Sequence, residues 1–186
     1  EDSILVADSG GIMQRWSLEG GFLEQWQIPS AANSAAFTWQ NLLIVHNAET
    51  RELIAYGPDR AERWRVPEVL RPVATVMTDR LLGIASFRGE VTILGPDGRV
   101  YDRRTSDSAT LLAPAPDGGL YARLGDGLWR IDAAGTWQRL ADTPPVHRAS
   151  GALASLPDGR FFLYAGQTDR TLNAYDATGA LLWQTA

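Results

Sequence analysis

Internal repetition constrains this chain more than any other feature. Five short apolar runs recur along it: Ile4-Leu5-Val6-Ala7, Leu42-Leu43-Ile44-Val45, Leu81-Leu82-Gly83-Ile84-Ala85, Leu120-Tyr121-Ala122 and Phe161-Phe162-Leu163-Tyr164. Each leads into a tight turn followed by an aromatic residue. Glu19-Gly20-Gly21 precedes Trp26, Pro58-Asp59-Arg60 precedes Trp64, and Pro96-Asp97-Gly98 precedes Tyr101. Asp132-Ala133-Ala134-Gly135 precedes Trp137, and Asp176-Ala177-Thr178-Gly179 precedes Trp183. The turn positions 21, 60, 98, 135 and 179 are separated by 39, 38, 37 and 44 residues. Glycine in such turns tolerates positive φ without a Cβ clash, so turns of this type between β-prone runs are hairpin signals.

Four of the five units are preceded by a small-residue segment: Ser34-Ala35-Ala36-Phe37, Val73-Ala74-Thr75-Val76, Thr110-Leu111-Leu112-Ala113 and Gly151-Ala152-Leu153-Ala154-Ser155. A unit of about 40 residues then reads as four short antiparallel strands, which is the blade of a β-propeller. Strands nearest a central axis need small side chains. Middle strands need Leu, Ile, Val and Phe to stack on neighbouring blades. Outer strands are edges, where arginines such as Arg63, Arg65, Arg103, Arg104 and Arg139 discourage pairing with other chains. The expected fold is all-β: about five four-stranded antiparallel blades, at residues 1–30, 31–68, 69–106, 107–144 and 145–186. The first unit lacks its small-residue strand, which makes nineteen strands. The expectation is a single propeller domain or a piece of a larger ring, polypeptide or assembly.

The run from Ile4 to Trp16, Ile-Leu-Val-Ala-Asp-Ser-Gly-Gly-Ile-Met-Gln-Arg-Trp, resembles an NHL-repeat blade. The run from Asn173 to Trp183 resembles the hairpin of a pyrroloquinoline-quinone-like propeller blade. Arg60 departs from both by standing where the turn glycine is expected. The resemblance implies the propeller fold. It also implies an extracytoplasmic setting (periplasmic, cell-surface or secreted), because both repeat types are frequent outside the bacterial cytoplasm.

Composition narrows the chemistry. Of 186 residues, none is cysteine, which excludes disulfides, thiolate nucleophiles and cysteine-held metals. All 17 basic residues are arginine, which excludes Schiff-base lysines. The net charge of -5 disfavours nucleic acid as a partner, and no apolar run approaches the roughly 20 residues of a transmembrane helix. No Gly-x-Ser-x-Gly elbow, His-Glu-x-x-His pair or Asp-x-Asp-x-Asp loop is present. No cofactor or metal is therefore expected.

Candidate site residues are few. His46 and His147 are the only histidines, about one hundred residues apart. The expectation is that they are solvated loop residues, with an alternative role as acid–base groups or ligands at a channel mouth in an NHL-type lyase or hydrolase. Turn aspartates such as Asp8, Asp97, Asp117, Asp158 and Asp176 are read as caps for nearby backbone N–H groups. Trp26, Trp64, Trp137 and Trp183 recur at blade spacing and are read as packing between blades. Trp39 and Trp129 fall outside that register and are read as exposed contacts, with carbohydrate binding as an alternative. Arg71, Arg88, Arg148 and Arg170, in connections and hairpin tips, are the preferred interaction residues. Taken together, these readings predict a non-catalytic scaffold for protein partners or self-assembly.

Overall fold

The computed structural model describes residues 3–8, 10–28, 33–107, 110–143, 151–165 and 170–185. It contains nineteen β-strands and no helix among the described residues, so none there is long and apolar enough to cross a membrane. Every sheet is antiparallel with its strands in sequence order. The chain divides into two compact units, Glu1–Arg71 and Pro72–Ala186.

The first unit holds two sheets. One has three strands, β1 (Ser3–Ala7), β2 (Ile12–Ser17) and β3 (Phe22–Gln27). The other has four: β4 (Asn33–Trp39), β5 (Leu42–Asn47), β6 (Glu52–Tyr56) and β7 (Glu62–Val66). Met13, Ile28 and the half-buried Leu5 and Trp26 of the first pack against Leu43, Val45, Ile54 and Tyr56 of the second. The first sheet is the one expected to lack its small-residue strand.

The second unit holds three four-stranded sheets. They are β8 (Pro72–Met77) to β11 (Val100–Thr105), with β9 at Leu82–Ser86 and β10 at Glu90–Leu94; β12 (Leu111–Pro114) to β15 (Trp137–Asp142), with β13 at Leu120–Leu124 and β14 at Gly127–Ile131; and β16 (Gly151–Ser155) to β19 (Leu181–Thr185), with β17 at Phe161–Ala165 and β18 at Thr171–Tyr175. Strand β12 touches both β8 and β16, so small-residue strands of successive sheets lie side by side. One core joins Leu81, Ala85, Val91 and Ile93 to Leu112, Leu120, Ala122 and Ile131. The next joins Ala113, Tyr121 and Leu128 to Phe161, Leu163 and Tyr175. Rings fill this second core: Tyr121 lies 4.6 Å from Phe161, which stacks on Tyr175 at 5.2 Å.

The hairpins follow one chemical rule. In the turn before each outer strand, one residue has positive φ: Gly20, Arg60, Gly98, Gly135 and Gly179. The first of these is Gly20, one residue ahead of the position read from the sequence. Aspartate Oδ1 atoms accept backbone N–H bonds inside the turns, as from Arg99 to Asp97 at 3.1 Å and from Ala134 and Thr136 to Asp132 at 2.9 Å. Asp8, Asp117, Asp158 and Asp176 do the same. These bonds favour the ionised acid and hold Asp132 and Asp176 below the usual carboxylate range, with the Thr178 hydroxyl contributing most at Asp176. A second rule closes each of the first four sheets. A residue just past the outer strand donates its N–H to a carbonyl in the turn between the two strands preceding it: Ile28 to Gly11, Val69 to Arg51, Ser106 to Gly89 and Thr143 to Asp126, at 2.6–3.1 Å.

Candidate functional site

The histidine expectation needs correction. His46 lies within β5 rather than in a loop, and its side chain is 1% exposed. Its Nε2–H donates to the Val69 carbonyl at 2.8 Å. Burial lowers its pKa; the bond to Val69 opposes this and the nearby Arg71 charge adds to it. A neutral ring with Nε2 committed to a carbonyl is suited to holding the exit of β7, not to ligating a metal through that atom. His147 lies outside the described residues. Among those residues, no group of three or more His, Cys, Asp or Glu comes together as a metal site would require.

The tryptophans also shift roles. Trp39, expected as an exposed contact, is 4% exposed at the end of β4. Trp129 is half-buried: its Nε1–H reaches the Leu124 carbonyl at 3.3 Å, and its ring meets Trp137 edge-on at 6.0 Å. Arg104 of β11 lies 5.2 Å from the Trp129 ring and 4.4 Å from that of Trp137, and Arg139 lies 5.5 Å from Trp129. These two tryptophans thus form a cation–π stack where two sheets meet near their outer strands. Trp183 departs in the other direction. Expected to be packed between blades, it is 46% exposed, and its ring lies 6.0 Å from that of Phe162.

Of the expected interaction arginines, Arg71, Arg88 and Arg170 are exposed. Arg71 precedes β8, and Arg88 occupies the turn between β9 and β10, beside Phe87. Arg170 begins the approach to β18 with a φ of 45°. They lie at separate places along the chain. Arg148 lies outside the described residues. Four arginines of the outer strands are ion-paired: Arg63 to Asp59, Arg65 to Glu52 and Glu62, Arg104 to Asp102, and Arg139 to Asp126 and Asp142. Such exposed pairs add little stability. Their consequence is to leave charge along the sheet edges.

What the structure does assemble is a surface, the face of β16–β19 turned away from β12–β15. Register defines it. Across β12–β15, Ala113, Tyr121, Arg130 and Gln138 form one row, and Leu111, Arg123, Leu128 and Ala141 form the next. The sheet β16–β19 packs on this face, leaving Tyr121 at 2%, Arg123 at 0% and Leu128 at 0% exposure. The equivalent rows of β16–β19 are Ala154, Phe162, Ala174 and Trp183, then Ala152, Tyr164, Leu172 and Thr185. Here Ala152, Ala154, Tyr164, Trp183 and Thr185 are all exposed. The side-chain recipe of small residues on the first strand and aromatics on the second is that of a covered face. The edge is unusual as well. Strands β7, β11 and β15 carry Arg with Glu or Asp, whereas β19, Leu-Leu-Trp-Gln-Thr, carries no charge and is exposed throughout.

Sequence reading missed two features of this arrangement. One is Arg123, buried at the register position of β13 that His46 holds in β5; its burial lowers the guanidinium pKa, partly offset by Asp126. Its signal was an arginine inside the apolar run Leu-Tyr-Ala-Arg-Leu. The other is the open face itself, whose residues look like core in the sequence because they match core positions elsewhere.

No protein-family model matches the chain, and no curated protein does. Solved structures do. Over 100% of its length the chain resembles the computationally designed Ika8 protein, with a TM-score of 0.72 and 15% identity, covering 59% of that chain. Over 97% of its length it resembles a streptogramin B lyase, with a TM-score of 0.63 and 12% identity, covering 66% of that chain. Over 100% it resembles BamB from Moraxella catarrhalis, with a TM-score of 0.62 and 16% identity, covering 61% of that chain. The lyase and BamB are β-propeller proteins, and the four-stranded sheets of this chain are propeller blades. The chain spans less than two thirds of the length of each. At these identities the likeness establishes the fold and nothing finer.

Proposed function

We propose that this chain is a non-catalytic propeller scaffold, one element of a larger extracytoplasmic protein or complex, and that its docking surface is the outward face of β16–β19. The observation that carries this reading is the register equivalence of that face with the covered face of β12–β15. A surface built from Ala154, Phe162, Tyr164, Leu172 and Trp183 has the composition of a blade-to-blade contact, and such contiguous apolar surface marks an interaction site. The occupant that fits it is another apolar β-sheet face, supplied by a further blade of a longer polypeptide or by a protein partner. An uncharged β19 edge is consistent with a neighbour there, since edges left to water elsewhere in this chain carry charge. A streptogramin B lyase shares the fold, but His46, the described histidine, is buried and bonded to a backbone carbonyl, which does not favour an acid–base role.

Sedimentation velocity from micromolar to millimolar concentration tests this proposal. The chain is expected to self-associate or bind a hydrophobic dye, and Tyr164→Lys with Trp183→Lys is expected to abolish both while leaving the far-UV spectrum and melting temperature unchanged. A strictly monomeric, dye-silent chain, or association indifferent to these substitutions, would remove the surface from consideration.

A further inference from the structure

The two sheets of the first unit do not close on one another along their whole length. Beyond the core of Met13, Ile28, Val45 and Ile54, the gap opens into a cleft of about 510 Å³. This is within the range of small-molecule sites. In the second unit the equivalent gap, between β12–β15 and β16–β19, is filled by the Tyr121 ring packed against that of Phe161. Register explains the difference. The position of Tyr121 in β13 is held in β1 by Leu5, paired with Arg15 and through it with Glu24, and this row faces Leu43 and Tyr56 of the second sheet. A smaller side chain and a charged row replace the aromatic wedge.

The cleft wall has a defined electrostatic character. Glu24 pairs with Arg15 at 2.9 Å and also with Arg60, so among the described residues two guanidiniums share one carboxylate. Arg60 is held in place from behind, its guanidinium 4.9 Å from the centroid of the Trp26 ring. Both arginines keep about half of their side-chain surface open to solvent. The floor is apolar, formed by Leu5, Leu43 and the ring of Tyr56. A pair of rigid donor forks above an apolar floor is complementary to a carboxylate attached to a compact hydrophobic body.

We infer that the cleft between β1–β3 and β4–β7 is a binding site for a small organic carboxylate, whose anionic head bridges Arg15 and Arg60 and whose apolar body rests on Leu5, Leu43 and Tyr56. The site is independent of the docking face described above. Glu24 is then an internal competitor: it occupies, in the empty site, guanidinium bonds that the ligand carboxylate would take.

That competition gives the test its sign. The indole N–H signals of Trp26 and Trp39, followed by two-dimensional NMR, report the cleft. Phenylacetate is the carboxylate probe, 2-phenylethanol its neutral match and inorganic phosphate the anion without a hydrophobic body. Saturable shifts are expected with phenylacetate only. Arg60→Gly should weaken binding about tenfold, the size of one charge-assisted bond. This variant is safe for folding because Arg60 has a φ of 65°, where the other blades use glycine. Glu24→Gln should tighten binding several-fold by releasing both guanidiniums. Absence of saturable shifts, equal response to 2-phenylethanol or phosphate, indifference to Arg60→Gly, or weaker binding in Glu24→Gln would each overturn the assignment.

Discussion

The gap between sheets is treated differently in the two units, and one turn residue shows why. In the second unit, the turns before β15 and β19 lie directly on the preceding sheet. A Cβ built on Gly135 would sit 2.6 Å from the Tyr101 Cβ, and one on Gly179 would sit 2.6 Å from the Leu140 Cβ. In the first unit the same turn position is Arg60, which reaches back to Trp26 and Glu24 through its side chain. Glycine permits backbone contact, and the sheets close around rings. Arginine substitutes a polar bridge, and the sheets leave a cleft. The choice between a filled gap and an open one is therefore made partly at the hairpin tip, away from the cleft floor.

The largest effect that could break this comparison is expected in the filled gap. Phe161→Ala removes the ring that stacks on Tyr175 and packs tilted against Tyr121, and should cost about 3–5 kcal/mol by chemical denaturation. A loss under about 1 kcal/mol would mean that the ring stack is not what holds these sheets together. Next comes the tip itself. Gly135→Ala places a side chain at a φ of 81° and against Tyr101, so a loss of about 1–3 kcal/mol is expected, read as a lowered melting temperature. A neutral outcome would show that the close approach is incidental.

The smallest effect separates the units by pH. His46 in the first unit and Arg123 in the second hold the same register position, but only the histidine titrates near neutrality. Its folded pKa lies below the unfolded value of 6.5 because burial disfavours the imidazolium. Above that value both states hold the ring neutral and nothing is lost. As the pH falls through about 6.5, the unfolded chain takes up the proton first, so stability declines until the folded ring is protonated in turn. Denaturation between pH 7.5 and about pH 5 should show this decline in the native protein and a flatter profile in His46→Gln. Equal slopes in the two would mean that burial does not keep the ring neutral.

Much of the fold was legible in the sequence because hairpins are local. The nineteen strands among the described residues, three of them in the first sheet, follow from turn residues whose own side chains make the turns, as Asp97 and Asp132 do. Burial was less legible. Trp39, Trp129 and Trp183 were assigned by their place in the repeat, but whether a ring is covered depends on the facing sheet, tens of residues away. His46 looked like a loop residue because Asn47-Ala48-Glu49-Thr50 follows it; its partner, Val69, is 23 residues further on. The cleft left one trace in the sequence: Arg60 standing where a turn glycine was expected. That departure did not disclose the pairing with Glu24, which lies 36 residues earlier.

The backbone clasps from Ile28 to Gly11, Val69 to Arg51, Ser106 to Gly89 and Thr143 to Asp126 each begin and end within a single stretch of chain belonging to one sheet. Each module thus fastens its own last strand without borrowing a bond from its neighbour. Cut between clasps, the polypeptide would yield cassettes with their fastenings intact, so duplication, deletion or grafting of blades can proceed in whole repeats without leaving an unfastened end.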